Sequence, residues 1–136
     1  MSNLYAYVQF QGNCRDAMTF YKECLGGELQ IMTIGESQMA EHMPAEAQNN
    51  VMHSALMKDG KIIVMGADSM GEEVPQSKGI SLCIVGESKE ELESLFAKVS
   101  QGATVHHPLK EEFFGTYGDL TDKFGVNWMF QYSPMP

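Results

Sequence analysis

Gly79-Ile80-Ser81-Leu82-Cys83-Ile84-Val85-Gly86-Glu87-Ser88-Lys89-Glu90-Glu91-Leu92 decides the fold, because in this stretch the chain begins a pattern it has already used once. Residues 79–85 are rich in β-branched and apolar types and read as a strand. Ser88-Lys89-Glu90-Glu91 has the form of a capping box, opening a helix with Leu92, Leu95, Phe96 and Val99 on one face. Gly102 ends that helix. Residues 103–107 read as a strand, and 117–121 and 126–132 as a hairpin around Asp122-Lys123-Phe124-Gly125. Toward the N-terminus the same order appears. Residues 4–10 read as a strand, and Asn13 is placed to cap a helix over 15–25 that stops at Gly26-Gly27. A strand over 28–34, a polar loop over 35–50, and a hairpin of 51–57 and 61–67 around Asp59-Gly60 complete the first half.

The order is therefore β-α-β-β-β, twice, in modules of about 4–68 and 79–132 joined by a Gly- and Pro-containing linker over 69–78. Each half has one sheet with a face its own helix does not cover. The fold class that follows is α+β: a single domain of two βαβββ modules forming curved mixed sheets around a cleft, with the helices outside. At 136 residues and 43% hydrophobic composition, the chain can bury a core without disulfide support.

Charge excludes two partner classes. With 9 Lys and Arg against 18 Asp and Glu, the net charge of -9 repels nucleic-acid phosphates and anionic lipids. No stretch is long and apolar enough to span a bilayer, and the first residues do not read as a signal peptide. Cys14, Cys24 and Cys83 are an odd number without a CxxC pair, so a thiolate zinc site and a disulfide framework are not expected, and a reducing cytoplasm is.

Three blocks carry a family likeness: Gly12-Asn13-Cys14-Arg15-Asp16-Ala17-Met18-Thr19-Phe20-Tyr21 followed by Leu25-Gly26-Gly27; Val51-Met52-His53-Ser54-Ala55-Leu56; and Tyr117-Gly118-Asp119-Leu120-Thr121-Asp122-Lys123-Phe124-Gly125-Val126-Asn127-Trp128. Together they resemble the PhnB-like branch of the glyoxalase/bleomycin-resistance/dioxygenase (vicinal oxygen chelate) superfamily. The resemblance implies the repeated βαβββ fold, a symmetric homodimer and a small-molecule cleft. The branch often carries a demethylubiquinone-methyltransferase label. A methyl donor such as S-adenosylmethionine normally requires a Gly-rich turn from strand to helix, whereas Gly26-Gly27 follows a helix.

Alternation along the strands sorts the cleft set. Tyr5, Tyr7 and Gln9 are expected inward from the first strand, Gly79, Ser81 and Cys83 from the fifth, and Asn127, Met129 and Gln131 from the eighth. Ile80, Leu82, Ile84, Trp128, Phe130 and Tyr132 are expected against the helices. A regular hairpin around Asp59-Gly60 would pair Ala55 with Val64 and His53 with Gly66, so His53 and Val64 are expected to share the cleft face. That face contains no Arg or Lys to hold a phosphonate.

In metal-dependent members of the superfamily the ligands come from the first, fourth, fifth and eighth strands. The resemblance places those positions near Tyr5 or Ala6, Val64, Gly79 and Met129, none of which is His or Glu. No metal and no cofactor is therefore expected. Ligand contact is expected at Tyr5, Tyr7, Gln9, His53, Val64, Ser81, Cys83, Asn127 and Met129. His53 is the foremost polar candidate, with no catalytic role assigned. Alternation admits only one of the adjacent His106 and His107 inward, and Asp119 and Asp122 read as turn residues. His42, Met39 and Met43 lie in the polar loop, where they could close over the cleft.

The leading reading is a metal-independent small-molecule-binding protein. The alternatives are a metal-dependent lyase or isomerase with ligands relocated to His53, His106 or His107, and Asp119, and a structural or regulatory dimer without a small ligand. Metal content and a ligand in the cleft discriminate among them.

Overall fold

Asp59 and Gly60 both hold positive φ, 53° and 78°, the left-handed pair that a two-residue hairpin turn demands. A computed structural model describes residues 2–69, 71–75 and 77–133. It divides into two compact units, Met1–Val74 and Pro75–Pro136. In the first unit the turn joins β3 (Val51–Lys58) to β4 (Lys61–Asp68); β2 (Glu28–Thr33) pairs antiparallel with β3, and β1 (Tyr7–Phe10) parallel with β4. The sheet order is β1-β4-β3-β2. Helix α1 (Cys14–Leu25) packs its buried Ala17, Met18 and Tyr21 against one face of this sheet, over Phe10, Leu56 and Val64. Gly66 permits the close approach: a Cβ there would lie 3.2 Å from Met18 Sδ and from the Phe10 ring.

The second unit repeats the plan. Its order is β5-β8-β7-β6, with β5 (Leu82–Val85) parallel to β8 (Asn127–Tyr132), which pairs antiparallel with β7 (Gly115–Thr121), which pairs antiparallel with β6 (Thr104–Glu112). Helix α2 (Lys89–Val99) covers one face. Its Phe96 meets Phe130 edge-on at 5.0 Å, with Leu92, Val99, Leu120 and Trp128 also buried. Ser88 caps α2 as expected, its Oγ accepting from Glu91 N at 3.1 Å, but the Glu91 carboxylate accepts from Glu87 N, one residue before the reciprocal position. Both sheets are mixed and both units run β-α-β-β-β, so the architecture is α+β with a glyoxalase/bleomycin-resistance-like fold.

Several local expectations are corrected. Asn13 makes no side-chain cap to α1. The Asp68 carboxylate does that work from the end of β4, accepting from Cys14 N at 2.9 Å and from Val51 N at 2.8 Å. A charged acceptor reaching the helix start across the sheet outcompetes the local amide. The first and fifth strands are shorter than expected: Tyr5, Gly79 and Ser81 precede them, and Ile80 is 73% exposed rather than set against a helix. The 35–50 segment contains short turns at Ile34–Glu36, Ala40–His42 and Ala45–Ala47, and the Gln48 amide donates to the carbonyls of Ala40 and Met43. Residues 70 and 76 of the expected linker lie outside the described residues.

Of the register shifts in the two sheets, those in β3–β4 and early in β6 change which candidate side chains share a face. The hairpin pairs Lys58 with Lys61 and Met57 with Ile62, as the turn dictates, but the next pair is Leu56 with Val64. Ile63 is thus the extra residue, and the regular pairing of Ala55 with Val64 and His53 with Gly66 does not form; Met65 faces Ala55 and Gly66 faces Ser54. One inserted residue inverts the parity of everything beyond it. Val64 is therefore not on the helix-free face with His53: it is 2% exposed beneath α1, whereas His53 is exposed. In β6, Val105 pairs with Leu120 and His107 with Asp119, leaving His106 as the extra residue. Both histidines then hydrogen-bond to side chains of β7, His106 to Thr121 and His107 to Asp119.

Candidate functional site

The sequence Tyr117-Gly118-Asp119-Leu120-Thr121 alternates within β7, and alternation places Tyr117, Asp119 and Thr121 on the face opposite the buried Leu120. The β6 bulge brings both histidines to these groups. His106 Nε2 lies 2.8 Å from Thr121 Oγ1, and His107 Nδ1 lies 3.0 Å from each oxygen of Asp119. Tyr117 Oη donates to Asp119 Oδ2 at 2.6 Å. Thr121 Oγ1 donates to Asn127 Oδ1 at 2.7 Å, and Asn127 Nδ2 donates to the carbonyl of Ile80 at 3.3 Å and to that of Ser77 at 2.5 Å.

His106, Tyr117, Asp119, Thr121 and Asn127 line a pocket of about 530 Å³ within the second unit, to which Ser81, Thr104, Met129 and Lys78 also contribute. Partial burial works against ionisation of Asp119, but hydrogen bonds from Tyr117 and His107 and the field of both histidines outweigh it and hold the carboxyl below its ordinary value. The hydrogen bond to that carboxylate, with burial second, pushes the Tyr117 phenol up to about 12. The site thus combines an ionised carboxylate, a phenol locked in its protonated form, an imidazole and an apolar thioether.

The expected site residues fall into separate groups. Ser81, Asn127 and Met129 line the second unit's pocket. Cys83 is an exposed thiol whose pKa is raised by desolvation, the opposite of what a reactive thiolate needs. In the first unit, Tyr7 and His53 meet on the helix-free face, Tyr7 Oη 3.4 Å from His53 Nδ1 and the rings 6.0 Å apart. Gln9 is exposed on the same face of β1, and Tyr5 is exposed ahead of it. Val64 belongs to the core, as described.

Sequence reasoning missed Tyr117 and Thr121, considered His106 only as a relocated metal ligand, and otherwise assigned Asp119 to a turn. Asp122 is the turn residue: it accepts from Phe124 N, Val126 N and Trp128 Nε1 at 2.8, 3.0 and 2.9 Å. Asp119 lies within β7, three residues earlier. The polar alternation Tyr117-x-Asp119-x-Thr121 was the signal that could have found this face.

Residues 2–131 match the family described as 3-demethylubiquinone-9 3-methyltransferase. Protein YjdN of Escherichia coli (strain K12) is 30% identical over 133 residues, covering 90% of each chain. The crystal structure of protein PA1353 from Pseudomonas aeruginosa superposes with a TM-score of 0.86 at 32% identity, over 98% of each chain. The PhnB protein from Bacillus cereus follows with a TM-score of 0.76 at 26% identity, over 97% of this chain and 100% of that one.

Proposed function

The chain belongs to the 3-demethylubiquinone-9 3-methyltransferase family, the PhnB-like branch of the glyoxalase/bleomycin-resistance superfamily, and from that premise we propose that it is a metal-independent small-molecule-binding protein whose ligand seat includes the second unit's pocket. The observation that carries this reading is the pocket itself: about 530 Å³ of space on a helix-free sheet face, floored by Met129 and ringed by oriented polar groups. Ligand sites combine apolar walls with a few fixed polar atoms in this way.

Neither group implied by relatives fits the residues present. The four strands that supply metal ligands in the superfamily carry Tyr7, Gln9, Met65, Ala67, Cys83, Asn127, Met129 and Gln131 on their helix-free faces, without His or Glu. Among the described residues no three of His, Cys, Asp and Glu converge. For the relocated-ligand alternative around His53, the hydrogen-bonding partner there among the described residues is Tyr7, which offers no imidazole or carboxylate donor. A methyl donor finds no Gly-rich strand-to-helix cradle either. Gly26 and Gly27 end α1, and a Cβ on Gly27 would lie 2.2 Å from Met57 O, so that glycine serves helix–strand contact.

The same reading includes a homodimer working in the cytoplasm. Support comes from apolar groups left exposed near the β5 edge, Ile80 at 73% and Val85 at 66%, since such edges invite pairing. The ligand proposal is tested on chelator-treated protein by amide chemical-shift mapping with a mixture of small fragments. Saturable shifts should cluster at Thr104, Tyr117, Thr121 and Met129, and added Zn²⁺ or Ni²⁺ should change neither the shifts nor the melting temperature. A metal held in hundredfold excess over its Kd would add about 2.7 kcal/mol of stability. Stabilisation of that size, or fragment binding only with metal present, refutes the proposal.

A further inference from the structure

Two hydrogen-bond relays on β7 each consume the proton of a group that lines the pocket. In the first, the single proton of the Tyr117 phenol is given to Asp119, at 2.6 Å, leaving oxygen lone pairs. In the second, the carbonyls of Ser77 and Ile80 take the N–H groups of Asn127, which fixes its amide oxygen toward Thr121. Thr121 gives its single hydroxyl proton to that oxygen. The 2.8 Å contact between Thr121 Oγ1 and His106 Nε2 then has one polarity: Nε2 carries the hydrogen and donates. In the neutral imidazole, which has one N–H, Nδ1 of His106 is then left bare.

The pocket is therefore acceptor-rich by construction. Tyr117, His106 and Asp119 all line the pocket, and their Oη, Nδ1 and carboxylate offer lone pairs beside the apolar Met129. An anion has nothing to donate to the first two and is repelled by the third. Lys78 at the pocket edge opposes this preference, and being exposed it acts through water. Resting on the ligand-seat reading above, we propose that the pocket recognises small molecules with an apolar body and a cationic nitrogen head, an amine or amidine, whose N–H groups donate to Tyr117, His106 and Asp119.

Benzamidine and benzoate test this directly, because they share a ring and a planar head but are donor-only cation and acceptor-only anion. With the full chain, benzamidine should give saturable shifts at Tyr117, His106 and Thr121, and benzoate should bind at least about tenfold more weakly. His106→Gln keeps an N–H to meet Thr121 while replacing the Nδ1 acceptor by an amide oxygen held at a different position, and should weaken benzamidine severalfold with an unchanged melting temperature. Lys78→Gln should strengthen it. Imidazole ¹⁵N shifts of the ligand-free protein should show the hydrogen of His106 on Nε2. A hydrogen on Nδ1, or benzoate binding as well as benzamidine, overturns the inference and leaves the pocket as a ligand seat. If neither probe reaches the pocket the inference falls. If the fragment mixture also misses it, the ligand-seat reading falls too.

Discussion

Replacing Asp68 by Ala should cost the protein much of its stability without touching the pocket. Asp68 is 6% exposed and accepts two backbone N–H groups, Cys14 N at 2.9 Å and Val51 N at 2.8 Å. Both donors belong to residues that are themselves buried, Cys14 at 0% and Val51 at 1%. A hydrogen bond to a charged group contributes roughly 1.5–3 kcal/mol, and a buried donor left without a partner costs about as much. Truncation spares the desolvation of one carboxylate, which offsets part of the loss. The net expectation is about 3–4 kcal/mol for Asp68→Ala, toward the upper end for a single substitution. Asp68→Asn retains one acceptor but turns an N–H toward the other donor, so about 2 kcal/mol or more is expected. Urea titration followed by circular dichroism measures both. With a slope of about 2 kcal/mol per molar urea, the Ala variant should lose about 1.5–2 M from its midpoint. A change for Asp68→Ala within about 0.5 kcal/mol, the range of an ordinary surface substitution, would refute the account of α1 as a helix held from β4.

Four further expectations concern titration and packing. The folded Tyr117 phenol titrates at about 12 against an ordinary 10, so its contribution to stability is complete below pH 10 and is lost as pH rises toward 12; phenolate absorbance should show a late tyrosine that Tyr117→Phe removes. The lowered Asp119 carboxyl works the other way, its contribution present above the ordinary carboxylate value and lost as pH falls through the folded one, so Asp119→Asn should flatten the acid limb of the melting profile. Gly27→Ala should lower stability by about 1–3 kcal/mol, because φ is +95° and the new Cβ would lie 2.2 Å from Met57 O; an unchanged melting temperature would count against that contact. His53→Ala should stay within about 0.5 kcal/mol of the parent in the same assay, since the side chain is exposed with one long contact to Tyr7.

The legible parts of this protein are those decided over a few residues. The repeated βαβββ order follows from periodicity, the Asp59-Gly60 turn from its need for positive φ, the Ser88 cap from its hydroxyl at the helix start, and Trp128 and Phe130 in the core from alternation. Asn127 and Met129 line the pocket from alternate positions of β8, for the same reason.

What tertiary structure decided lies at longer range. Asp68 caps a helix whose first residue is 54 positions away, and no local pattern marks that partnership. The bulges at Ile63 and His106 arise where strand pairing shifts register, and each reverses face parity beyond it, in β6 until a second shift between His107 and Lys110. The first buries Val64 beneath α1 and separates it from His53. The second brings His106 and His107 together against Thr121 and Asp119, assembling a polar site that strict alternation forbids. Local sequence specifies a strand's period, but its phase is settled by packing and cross-strand hydrogen bonding, and a single inserted residue is enough to reverse it.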